Sequence, residues 1–240
     1  MKILTFDVFG DYAHFRKYYT TTSPLTFSFP PPPTIAGLLG AICGIPKEET
    51  LKVFNLYDNW QVALKIINPV KKIRIGVNFI NTKDNKYLTL YRTKTHEPRT
   101  PIRTEFVKLP RYRVYLIHKD KKIFEKLIEF IQFHRCVFTV SLGLSELLAD
   151  FSFVGLYDYE ELRNYNGYIS SIIPIKRLVG KGIYIEPERK YFKEKIPFKM
   201  NPERIIEIYE DVIYEPEGKP IKACIDVAYK IENGEVITFF

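Results

Sequence analysis

Four consecutive prolines, Pro30 to Pro33, stand directly before the apolar run "TIAGLLGAICGI" from Thr34 to Ile45. Proline fixes φ near −65° and carries no backbone N–H, so this tetrad belongs neither in a helix interior nor in a central strand. It must stand between two separate elements. On its N-terminal side, Lys2 to Phe9 reads as a strand and Leu25 to Phe29 as a short extended piece. On its C-terminal side, Ile35, Leu38, Leu39 and Ile42 recur at helical spacing, with Thr34 as the expected N-cap. Gly37 and Gly40 lie inside this short helix; because glycine weakens a helix, they point to close approach against a sheet or a neighbouring chain.

A second helical stretch is expected from Pro46 through Tyr57. Ile73, Ile75, Val77 and Phe79 then alternate with Lys72, Arg74, Gly76 and Asn78, the pattern of a half-buried strand. Tyr112 to His118 reads as a strand, and Phe124, Leu127, Ile128 and Ile131 share one helical face. Cys136 to Val140 and Phe151 to Leu156 return to strand character, while Ser145 and Glu146 resemble helix-start residues. This order implies an α+β chain with a ferredoxin-like βαββαβ core, an antiparallel sheet carrying both helices on one face. We expect that core over residues 1–157 and a β-rich C-terminal region over 158–240, where Ile221, Ala223, Ile225, Val227 and Tyr229 alternate with mostly polar neighbours.

At 240 residues and 46% hydrophobic content the chain can bury a sizeable core. Lys and Arg total 36 against 28 acids, and the resulting +8 favours polyanions such as nucleic acid or an acidic membrane surface. The longest apolar run, Ile35 to Ile45, is far short of the roughly 20 residues of a membrane helix, so a soluble, cytoplasmic protein is expected. Cys43, Cys136 and Cys224 are widely spaced and suggest buried apolar residues rather than disulfides or a zinc site. No metal-ligand cluster, Walker loop or serine-hydrolase elbow is present, so neither a metal nor a cofactor is expected.

Most of the positive charge is local. Between Asn81 and Arg113 stand nine basic residues, Lys83, Lys86, Arg92, Lys94, Arg99, Arg103, Lys108, Arg111 and Arg113, against three acids. Tyr87, Tyr91, Phe106 and Tyr112 are interleaved with them, a mixture suited to phosphate contact and base stacking. We read residues 81–113 as a hairpin-like RNA-binding arm; the competing reading is a solvated charged loop. His14, Arg16 and Lys17 would add polar groups at the end of the first strand.

The segments "FGDYAHFR", "PPPTIAGLLGAICG" and "SLGLSELLADFSFVG" occur in an order that resembles the fifth family of CRISPR-associated (Cas) proteins. "EPRTPIRTEFVKLPRYRVYLI" and "YEDVIYEPEGKPIKA" extend the resemblance over most of the chain. It implies membership of the RAMP superfamily, with an RRM-like ferredoxin fold and a basic, thumb-like insert. It also implies a role in antiviral defence: capping the 5′ handle of crRNA in a type I Cascade complex, in contact with the backbone RAMP subunit and the large subunit. The resemblance and the basic stretch together nominate His14, Arg16, Lys17, Arg92, Lys94, Arg99, Arg103, Lys108, Arg111 and Arg113 for RNA contact. Gly143 would let RNA or a partner backbone approach, or simply form a turn.

One branch of the family it resembles, serving type I-C systems, processes precursor crRNA without metal, using a Tyr, Lys and His set. Here Ile45 and Pro46 stand where that branch has its tyrosine, and Lys121 and Lys122 near its Lys-His pair. Both the phenol and the imidazole are then missing, so a non-catalytic RNA-binding subunit is expected. The runner-up is a metal-independent endoribonuclease rebuilt from His14, His96, His118 or Tyr18. A general RNA-binding protein is a third reading, and it would not distinguish handle-bearing from scrambled RNA.

Overall fold

The computed structural model describes residues 2–55, 59–80 and 97–240. Its strands are β1 (Lys2–Gly10), β2 (Tyr12–Ala13), β3 (Trp60–Ile66), β4 (Lys71–Ile80), β5 (Arg99–Lys108), β6 (Arg111–His118), β7 (Ala149–Ile169), β8 (Ile173–Pro174), β9 (Leu178–Ile183), β10 (Phe192–Met200), β11 (Ile206–Tyr214), β12 (Ile221–Ile231) and β13 (Val236–Ile237). The helices are α1 (Pro32–Cys43), α2 (Lys47–Val53) and α3 (Lys121–Gln132). The chain is therefore mostly β.

The largest sheet has the order β13-β12-β7-β1-β6-β3, with β9 also paired to β12. β1 is antiparallel to both β6 and β7. Its side chains alternate between two buried faces. Leu4, Phe6 and Val8 enter the larger core with Ile35 and Leu39 of α1 and Leu127 and Ile131 of α3. Ile3 enters a second core with Tyr115, Ile117, Ile231 and Phe239. Helices on one face and the β12–β13 hairpin on the other explain why β1 is buried almost throughout.

β7 produces the curl of this sheet. Its first half pairs with β1, from Ala149 opposite Gly10 to Asp158 opposite Lys2, and its second half with β12, from Tyr159 opposite Ile231 to Ile169 opposite Ile221. A register shift lies between Thr5 and Phe6; such bulges add local twist. The expected boundary at 157–158 falls inside β7, where its pairing passes from β1 to β12. Two three-stranded sheets complete the fold, β10-β11-β8 and β2-β5-β4.

Several local expectations are corrected. Helix α1 starts at Pro32, with Pro31 as N-cap and no side-chain cap, so Thr34 lies within the first turn; proline's fixed φ suits that position. Leu25 to Phe29, expected as a short extended piece, lies outside the named strands and pairs with the chain after β2 through the antiparallel bridge from Thr26 to Arg16. Cys136 to Val140 is a loop, because the Val137 and Phe138 N–H groups donate to the free carbonyls of Ile42 and Ala41 at the end of α1. Ser145 and Glu146 start no helix. Of the cysteines, Cys43 is buried and Cys136 is exposed in that loop. α2 ends at Val53, and Tyr57 lies outside the described residues.

Candidate nucleic-acid interface

β4 and β5 form an antiparallel hairpin whose register runs from Lys71 opposite Lys108 to Ile80 opposite Arg99. Its root is tied to the body by β2, with Tyr12 opposite Lys108 and Ala13 opposite Val107. Directly opposed residues share a face. One face therefore carries Ile73, Ile75, Val77, Phe79, Ile102 and Phe106, and the other carries Arg74, Arg99 and Arg103. The apolar face is covered best toward its root: Phe106 and Thr104 are buried, Ile73, Val77 and Ile102 are half-buried, and Ile75 and Phe79 are exposed. β4, expected as a half-buried core strand, is thus one side of the arm. Period-two alternation reports the pleat and says nothing about what covers it.

Arg99, Arg103 and Lys108 are exposed and form no ion pair among the described residues. Arg16 is also exposed, its Nη2 donating to the Thr20 carbonyl at 3.1 Å. Arg92 and Lys94, together with His96, lie outside the described residues. Arg74, which the sequence pattern assigns to the polar face of a core strand, belongs to the basic face of the arm; its Nε is 3.7 Å from Glu105.

The remaining nominated groups are held by the protein itself. His14 is 3% exposed, and its Nδ1–H donates to the Glu105 carbonyl at 2.7 Å, with the ring 5.6 Å from that of Phe106. The Lys17 ammonium pairs with Glu194. Burial works against that charge, but the Glu194 carboxylate outweighs it and raises the Lys17 pKa. Lys72, which donates to the Thr26 carbonyl at 2.8 Å, is lowered because its burial prevails.

Arg111 and Arg113 converge on Asp7, which is 2% exposed. Arg113 Nε donates to Oδ1 at 2.8 Å, while Arg111 Nε and Nη2 donate to Oδ2 at 3.1 and 3.0 Å. The strand register explains the geometry: Asp7 lies opposite Arg113, and Phe9, beneath the Arg111 guanidinium at 5.1 Å, lies opposite Arg111. Two guanidiniums on one carboxylate leave a net positive charge where the arm joins the central sheet.

The described histidines are committed to structural bonds. His118 Nδ1 accepts from the Asp120 N–H at 3.0 Å and Nε2–H donates to the Val53 carbonyl at 3.1 Å. Exposed His134 meets Asp150 at 2.6 Å. Tyr18 is exposed and packs between Tyr19 and Tyr209. Lys121 and Lys122 are exposed in the first turn of α3. Among the described residues no group of three or more His, Cys, Asp or Glu could hold a metal ion, and no helix is long and apolar enough to cross a membrane.

The fold is similar to that of solved CRISPR proteins. A crystal structure of a CRISPR protein from Archaeoglobus fulgidus superposes with a TM-score of 0.57 at 17% identity, covering 99% of this chain and 98% of that one. A chain of a CRISPR RNA-guided surveillance complex gives 0.54 at 9% identity, with 91% of each chain covered. A chain of the Type III-B Cmr-beta complex bound to cognate target RNA and AMPPnP gives 0.50 at 13% identity, covering 92% of this chain and 86% of that one. At these identities the likeness is one of fold. No curated protein sequence matches significantly. The family model described as CRISPR-associated protein (Cas_Cas5) matches residues 3–198, most of the chain, and the chain belongs to that family.

Proposed function

We propose that this protein is a non-catalytic crRNA-binding subunit of a type I CRISPR surveillance complex, capping the 5′ handle of the guide beside a backbone RAMP subunit and the large subunit. The observation that carries the reading is the amphipathic arm, whose basic face presents Arg74, Arg99 and Arg103 beyond a root anchored by β2. Arginine grips phosphate through a planar fork and stacks on bases, which suits a single-stranded terminus. Arg16, Arg99, Arg103 and Lys108 then contact RNA. Lys17, Arg111, Arg113 and His14 hold the surface in place.

We read the core as ferredoxin-like. In support, β7-β1-β6-β3 are neighbours in that order, α1 lies between β1 and β3 in the chain, and α3 lies between β6 and β7. A non-catalytic role is supported by His14 and His118, both buried and bonded to backbone carbonyls rather than available as a base or acid.

Binding of purified protein to repeat-derived RNA in EDTA, across a salt series, tests the reading. With about four to six phosphates engaged on a single strand, log affinity falls against log salt with a slope of roughly −3 to −4, and the RNA stays intact. Salt-independent binding would remove the electrostatic grip. Cleavage in EDTA that a histidine substitution abolishes would establish the ribonuclease instead.

A further inference from the structure

Beside α1 lies a groove of about 570 Å³, within the roughly 300–1,000 Å³ of small-ligand sites. Leu38, Ala41, Ile45 and Leu51 supply its apolar lining, and Phe138, 52% exposed, stands at its wall. Gly37 borders this space. A Cβ on Gly37 would meet no heavy atom within 4 Å, whereas a Cβ on Gly40 would lie 2.7 Å from Thr50 Oγ1. Gly40 is thus explained by the close approach of α2, but Gly37 weakens the helix without making room for any part of this chain.

We propose that this groove receives one unstacked nucleobase of the bound RNA, an inference that rests on the RNA-binding reading above. Around the groove are the hydroxyls of Thr34, Thr139 and Ser141, none hydrogen-bonded among the described residues. A flat heterocycle needs this combination of apolar walls for its faces and adaptable hydrogen-bonding groups for its edges. Lys47 and Arg204 also border the groove, alongside Glu48, and neither cation forms an ion pair among the described residues. They are suited to the phosphates flanking such a base.

The wall of the groove is linked to the root of the arm through one buried backbone contact. Gly143 lines it and packs against the His14 backbone, and the His14 imidazole is bonded to Glu105 of β5.

Gly37→Leu fills the groove with a side chain that favours helix, so its melting temperature is expected to equal or exceed that of the wild type. Its affinity for repeat-derived RNA should fall about 5- to 150-fold, the range for losing one stacked base, with the salt slope unchanged. Phe138→Ala, at a half-exposed position, should lower affinity in the same way and provides a second variant should Gly37→Leu fold poorly.

Single abasic substitutions walked along the RNA locate the base. One position should weaken wild-type binding and cease to matter in Gly37→Leu. If folded Gly37→Leu and Phe138→Ala bind intact RNA as the wild type does, or if every abasic position is equivalent, the groove assignment is overturned while the RNA-binding reading stands. Loss of subunit assembly at unchanged RNA affinity would assign the groove to a protein partner and overturn the base assignment. A wild-type protein that binds no RNA removes both readings.

Discussion

Gly143 faces the His14 carbonyl so closely that a Cβ on Gly143 would lie 1.9 Å from that oxygen. The contact is locked by the His14 N–H, which donates to the Leu142 carbonyl at 3.0 Å. The backbone that approaches Gly143 is the chain's own. Its φ of 105° lies in a region that side chains rarely adopt, so strain and collision act together. Gly143→Ala should therefore cost at least about 2 kcal/mol, read from urea unfolding. A variant as stable as the wild type would show that the 141–148 loop moves aside freely.

Asp7 is the sole carboxylate serving Arg111 and Arg113 among the described ion pairs. Asp7→Asn keeps the shape but strands two partly buried guanidiniums. The expected loss is about 3 kcal/mol, the low end for a buried pair losing one partner, because both arginines retain some water. Chemical denaturation measures it directly. A loss below about 1 kcal/mol would mean that the arginines reach solvent or other partners without cost.

The exposed arginines of the arm should behave differently. Arg99→Ala with Arg103→Ala is expected to leave stability unchanged and to weaken RNA binding. At about 0.7 per phosphate on a single strand, the salt slope should become shallower by roughly 1.4. Weaker binding with an unchanged slope would indicate that these residues act on arm conformation rather than on phosphate.

Glu235 links the end of the chain to the central sheet, accepting from Lys65 Nζ and from Tyr115 Oη at 2.7 Å. Burial pushes its carboxyl upward, but these partners outweigh burial and hold it below the ordinary 4.5. The stabilisation is therefore fully present above pH 4.5 and is lost as pH falls through the depressed folded value. The stability gap between wild type and Glu235→Gln should be open at neutral pH and close in acid. A gap that stays constant across that range would contradict the linkage.

The parts of the fold legible in the sequence are those set by local periodicity. β1, α1, β6, α3 and β12 arise from apolar spacing, and the proline tetrad separates β1 from α1 as its geometry requires. What sequence spacing hides is which surface covers an element. Alternation in β4 reads as the half-buried strand of a core, but β4 is one side of the arm, and its apolar face is only partly covered, with Ile73 and Val77 half-buried and Ile75 and Phe79 exposed. The apolar letters of Cys136 to Val140 suggest a strand, and the carbonyls at the end of α1 claim that backbone instead.

Charge is legible as composition and less so as function. Arg111 and Arg113 count toward a basic stretch in sequence, yet both are bound to Asp7, more than a hundred residues earlier. Lys17 pairs with Glu194 in the same long-range way. Such contacts arise from strand register and sheet packing. The groove beside α1 is legible only in part: two glycines flag close approach, and the three-dimensional packing separates Gly40, which meets α2, from Gly37, which faces open space.

The most direct test of the central claim is to purify the protein with its complex from native cells and sequence the 5′ ends of the RNA it retains. The account predicts a pool of guides sharing one repeat-derived 5′ segment, depleted when Arg99 and Arg103 are replaced by alanine. Retained RNA with heterogeneous 5′ ends, or a guide pool indifferent to those replacements, would contradict it.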